Sequence, residues 1–111
     1  MQNIEEYCFW CWKPKVLGVV QLLYLLSGRV FSTENANSVL EELRYTNADK
    51  NEWAVHNISL VPGLWQLAMA FDEYDNDIVH IKIKAPAEFQ ERIQFLDQIQ
   101  SLLKTIEIES R

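Results

Sequence analysis

Hydrophobic positions along this chain follow two clear periods, one helical and one strand-like. Residues 15–27 (KVLGVVQLLYLLS) are apolar nearly all round, which predicts a central, buried helix. Gly28 after the run suits a left-handed C-terminal cap, and Gly18 within it lowers helix propensity by about 1 kcal/mol relative to Ala. Residues 33–45 place Ala36, Val39, Leu40 and Leu43 on one helical face. Ser32 or Thr33 can cap the start, and Glu34 and Arg44 match the helix dipole at its two ends. The polar stretch Thr46–Glu52 reads as an exposed loop.

The period then changes to two. Strand-like segments cover Trp53–Leu60, Leu64–Phe71 and Ile78–Lys84, with Pro62-Gly63 placed as a type II turn requires. Val79, Ile81 and Ile83 fall on one side of the third segment, and His80, Lys82 and Lys84 on the other. In the second, Trp65, Leu67, Met69 and Phe71 share a face. From about Pro86 to Ile106 the helical period returns through Phe89, Ile93, Leu96, Ile99, Leu103 and Ile106. The first 14 residues, with Tyr7, Phe9, Trp10 and Trp12, read as an irregular or short extended arm that either wraps the core or anchors a partner. The prediction is one α+β domain over residues 1–111. It has an aromatic arm at 1–14 and a globular core at 15–111. The core holds two N-terminal helices, a three-stranded antiparallel meander and a long C-terminal helix packed on the sheet.

Composition adds limits. A chain of 111 residues, 49% hydrophobic and 23% charged, has room for one core. Its formal net charge is −6, which disfavours direct binding to nucleic acid or to an anionic membrane, since both need cations. The excess is local: residues 31–80 hold nine acids and two bases, whereas 1–30 and 81–111 are close to neutral. Such a field steers a basic partner. The start, MQNIEEY, lacks the basic character of a secretory signal, and the apolar run Val16–Leu26 is shorter than the roughly 20 residues of a spanning helix. A reducing, cytoplasmic setting is expected.

Candidate chemistry is sparse. Cys8 and Cys11 could form a redox pair or half of a zinc site, or be two packed or exposed thiols. A helix does not open at once after them, and the two histidines, His56 and His80, match no zinc spacing. Either histidine could serve as a base in principle, but no nucleophile with a matching carboxylate is recognisable from spacing. Asp72-Glu73-Tyr74-Asp75-Asn76-Asp77 lacks the glycine and the spacing of a calcium loop, which leaves a solvated acidic turn or an acidic contact surface. No phosphate-binding glycine loop, HExxH or GxSxG occurs. The expectation is a non-enzymatic binding protein without metal or cofactor.

The acids Glu41, Glu42, Asp49, Glu52 and the run Asp72–Asp77, with Tyr45, Trp53 and Tyr74 interleaved, give the chain the character of the small acidic immunity proteins of bacteria. The likeness is of size, charge and layout, not of a motif. It implies a cytoplasmic inhibitor that occludes the active site of a cognate toxin, often a basic nuclease. The partner-binding residues would be Glu41, Glu42, Tyr45, Asp49, Glu52, Trp53, Asp72, Glu73, Tyr74, Asp75 and Asp77. Reversing Asp72, Glu73, Asp75 and Asp77 to Lys should then weaken binding and leave the fold intact. The alternatives are a homodimeric adaptor, chaperone or regulator, and a thiol or zinc protein using Cys8 and Cys11.

Overall fold

The clearest alternation in the sequence builds the centre of a sheet. The computed structural model describes residues 3–89. They form strand β1 (Ile4–Trp12), helices α1 (Val16–Leu26) and α2 (Thr33–Leu43), and strands β2 (Ala54–Asn57), β3 (Gln66–Phe71) and β4 (Ile78–Pro86). All strand pairs are antiparallel, in the order β1-β4-β3-β2. Leu67, Met69, Val79, Ile81 and Ile83 are essentially inaccessible and line one face. Each such side chain contributes about 1.5–3 kcal/mol of transfer free energy.

Both helices cover that face. α1 buries Val16, Val19, Val20, Leu23 and Tyr24. α2 buries Val39 and Leu43, and starts with a reciprocal cap in which the Ser32 hydroxyl accepts from Asn35 N–H and the Asn35 side chain accepts from Ser32 N–H. The helices carry the chain from β1 at one sheet edge to β2 at the other. Gly28 at the end of α1 has φ +78°, the left-handed geometry of a C-terminal cap.

Three expectations need correction. Among the described residues the sheet has four strands, not three: the aromatic arm at 1–14 contains β1, which pairs with β4 from Ile4↔Pro86 to Trp12↔Ile78. Aromatic residues favour a pleated surface, and here apolar groups are wanted on both faces, so the strand lacks the clean alternation that marks one. Among the described residues it is α1 and α2 that cover the apolar face. Pro86 ends β4 instead of opening a helix, and Ala87–Phe89 make one 3-10 turn; the rest of the expected helix lies outside the described residues. Finally, β2 and β3 are shorter than the alternation suggested. The turn at Pro62-Gly63 forms, with Leu64 N–H donating to Val61 O at 3.3 Å and Gly63 at φ +83°, but it sits inside a longer loop. Leu60 and Val61 there are exposed, because no layer of the described residues covers them.

Candidate functional site

Two loops at one end of the sheet carry most of the clustered acids. In the first, residues 46–52, the Asn47 side-chain oxygen accepts from the N–H groups of Asp49 and Lys50 at 3.0 and 3.2 Å, and Asn47 and Glu52 exchange two backbone bonds of 2.9 Å. Ala48 N–H donates to Phe71 O at 2.9 Å, which ties this loop to the end of β3. The second loop, residues 72–77, joins β3 to β4. Asp72 N–H donates to Ile78 O at 3.0 Å and Lys13 N–H donates to Asp77 O at 2.7 Å. The loops therefore abut, and Asp49 lies in hydrogen-bonding reach of Glu73.

The carboxylates in this pair of loops have different duties. Asp72 accepts from His80 Nε2 at 2.7 Å and from Tyr74 N–H at 3.1 Å, and these bonds, the histidine first, hold its pKa below the ordinary value. Asp75 accepts from Asp77 N–H at 2.9 Å. Both are turn-forming acceptors. Glu73 is pushed above its ordinary value by partial desolvation and by the neighbouring Asp49 carboxyl. Like charges are thus held together at a cost to the fold. Tyr74, next in the chain to Glu73, is 90% exposed.

The remaining predicted contact residues go elsewhere. Glu42 accepts from His56 Nδ1 at 3.0 Å, and His56 Nε2 meets the Tyr24 hydroxyl at 2.5 Å. This chain of three side chains joins α2, β2 and α1 in the core, with His56 and Tyr24 both buried. Burial, then the Glu42 charge, raises the Tyr24 pKa against the opposing pull of Arg29. Glu41 pairs loosely with Arg44 at 3.5 Å on the exposed side of α2. Trp53 lies under the Lys82 ammonium, 4.1 Å from its ring centroid, on the sheet face away from the helices. Tyr45 and Glu52 line a groove between the end of α2 and the first loop.

Cys8 and Cys11 do not meet. Positions three apart on a strand face opposite sides, so Cys8 is exposed on the outer face and Cys11 is buried in the core. Burial pushes the Cys11 thiol up to about 12. The two sulfurs therefore cannot share a metal or close a bond while β1 is intact. Among the described residues no group of three or more His, Cys, Asp or Glu side chains is placed to hold a metal ion. No helix among them is long and apolar enough to cross a membrane.

Sequence spacing missed three contacts of the histidines. The His80–Asp72 bond was legible in principle, because a β3–β4 hairpin with Phe71 opposite Val79 brings residue 72 beside residue 80. The partners of His56 lie 14 and 32 residues away on other elements, and no local pattern points to them. Comparison with family models, curated proteins and solved structures returned no match.

Proposed function

We propose that the chain is a protein-binding inhibitor of the immunity type, whose acidic double loop seats in the anion-binding site of a basic toxin. The observation that carries this reading is the Asp49–Glu73 pair: a fold that keeps two carboxyls together on its surface, with Glu73 raised in pKa, holds charge it does not need for stability. The exposed Tyr74 in the same loop supplies the amphipathic aromatic side chain that interfaces favour. A nuclease fits as the partner, since its substrate site is built to hold phosphates, and carboxylates compete for the same cations. Two unpaired thiols are consistent with action in the reducing cytoplasm.

The test uses the triple reversal Asp49→Lys, Glu73→Lys, Asp77→Lys, which spares the turn acceptors Asp72 and Asp75. Proteins retained by the immobilised chain at low salt are purified and assayed for nuclease or other toxic activity with and without the chain. A basic protein that the chain inactivates, and that is released both by high salt and by the triple reversal, supports the reading. Retention of no such protein, or of one indifferent to the reversal, overturns it.

A further inference from the structure

The groove beside the double loop has the opposite charge. It lies between the end of α2 and the loop at residues 46–52, and its volume is about 570 Å³, within the range of small-molecule sites. Three of the seven cations among the described residues, Lys13, Arg44 and Lys50, line it, against one acid, Glu52. They come from three separate parts of the chain, so no run of basic residues announces them. Neither lysine makes an ion pair among the described residues. Lys13 Nζ instead sits 5.6 Å from the centroid of the Phe71 ring, which leaves its charge available over an apolar wall. Among the described residues Arg44 is held only by its 3.5 Å pair with Glu41, both side chains about two-thirds exposed, an interaction worth little in water. The rest of the wall is mixed: Thr46, Asn47 and Asn76 are polar, whereas Leu40 and Tyr45 are exposed at the rim and Leu43 and Phe71 form an apolar floor.

We propose that this groove binds a small organic anion: a carboxylate or phosphate held by Lys13, Arg44 and Lys50, on a flat apolar body laid against Tyr45 and Leu40. Cations around a partly apolar cleft match that ligand class better than a free inorganic ion, which would leave Leu40, Leu43, Tyr45 and Phe71 uncovered. In a chain with net charge −6, the local reversal of sign also selects against cations at this place. The groove shares Thr46, Asn47, Lys50, Glu52 and Asn76 with the double loop, but its three cations are not among the carboxylates Asp49, Glu73 and Asp77 of the partner surface proposed above, and this inference does not rest on that reading.

The test is an amide NMR titration of the full-length 15N-labelled chain with phenyl phosphate, phenylacetate, inorganic phosphate and benzyl alcohol. Saturable shifts confined to Lys13, Tyr45–Lys50, Phe71 and Asn76 are expected with at least one organic anion, and the tighter of the two tells phosphate from carboxylate. Benzyl alcohol, lacking the charge, and inorganic phosphate, lacking the apolar body, should each bind at least about tenfold more weakly. The variant Lys13→Gln, Lys50→Gln, checked for an unchanged circular dichroism spectrum, should lose about tenfold in affinity or more. Absence of saturation by either organic anion at about 10 mM, equal binding of the neutral alcohol, or unchanged affinity of the variant would overturn the proposal.

Discussion

Replacing Tyr24 by Phe removes one oxygen atom and tests whether the Tyr24–His56–Glu42 chain holds the helices to the sheet. In the neutral tautomer that satisfies both contacts, His56 Nδ1–H donates to the Glu42 carboxylate and Nε2 accepts the Tyr24 O–H. Phe fits the same space, so packing against Phe31, whose ring centroid is 4.9 Å away, is retained. What is lost is the partner of Nε2 on a side chain that is only 7% exposed. A buried acceptor left without a donor costs about 1–3 kcal/mol. For a domain of this size that corresponds to a fall in Tm of roughly 5–20 °C. Glu42→Gln should cost less than about 1 kcal/mol, because the amide oxygen still accepts from Nδ1–H and the side chain is 35% exposed. Urea unfolding at pH 7 followed by tryptophan fluorescence measures both, and the cycle of Tyr24→Phe with Glu42→Ala measures their coupling, expected at about 0.5 kcal/mol or more. If Tyr24→Phe stays within about 0.5 kcal/mol of wild type, the scale of an ordinary surface change, the clamp is not holding the fold.

The carboxyl of Glu73 has a raised folded-state pKa, so its contribution to stability is fully present below its unfolded value and is lost as pH rises through the folded value. Glu73→Gln, which mimics the protonated form, should therefore raise Tm at pH 7 and leave it unchanged near pH 3, as thermal scans at both pH values would show. Asp72 behaves in the opposite sense: its contribution is present above the unfolded value and is lost as pH falls through the lowered folded one, so a 13C titration should place its carboxyl below an ordinary Asp, and His80→Ala should move it back up. Thiol labelling at pH 8 should modify Cys8 within minutes and leave Cys11 untouched until denaturant is added; equal rates would contradict the opposite-face geometry. Gly63→Ala meets no atom within 4 Å but forces a side chain to φ +83°, so it should cost about 1 kcal/mol of conformational strain and no packing.

Where one face of an element is buried and the other is not, the chain announces itself. β4 is legible from Val79, Ile81 and Ile83 against His80, Lys82 and Lys84, and α2 from its Ser32 cap and the Val39–Leu43 face. β1 is not, because Tyr7, Phe9 and Cys11 serve the core while Trp10 and Trp12 pack edge-to-face on the other side, at 5.3 Å between ring centroids. Its partner strand is also more than 60 residues away along the chain, and nothing local sets that register. Pro86 misleads for a related reason: a residue suited to a first helical turn is equally tolerated at the end of a strand, where its missing N–H breaks no interior bond. The candidate site divides the same way. Residues 72–77 stand out as a run, but the approach of Asp49, the engagement of Glu42 with His56, and the convergence of Lys13, Arg44 and Lys50 all depend on tertiary contacts.

That division changes how the acidic surface has to be probed. Reversing Asp72, Glu73, Asp75 and Asp77 together treats four carboxylates as equivalent, and they are not. Asp72 fixes His80 and the Tyr74 N–H, and Asp75 closes the turn at Asp77, so replacing either by Lys removes an acceptor that shapes the loop. A binding loss in that variant would mix lost charge with lost geometry. The side-chain carboxylates of Asp49, Glu73 and Asp77 accept no backbone N–H among the described hydrogen bonds, and the loop positions that carry them are set by main-chain bonds from Ala48, Lys13 and Asp72. Reversal of these three should leave Tm close to wild type, because Asp49→Lys and Glu73→Lys remove a repulsion together, and should slow association with a basic partner while leaving its salt dependence much weaker. If the triple reversal unfolds the loop, seen as loss of the Asp72–His80 carboxyl shift by NMR, the charges are part of the scaffold and the separation drawn between turn acceptors and contact residues is wrong.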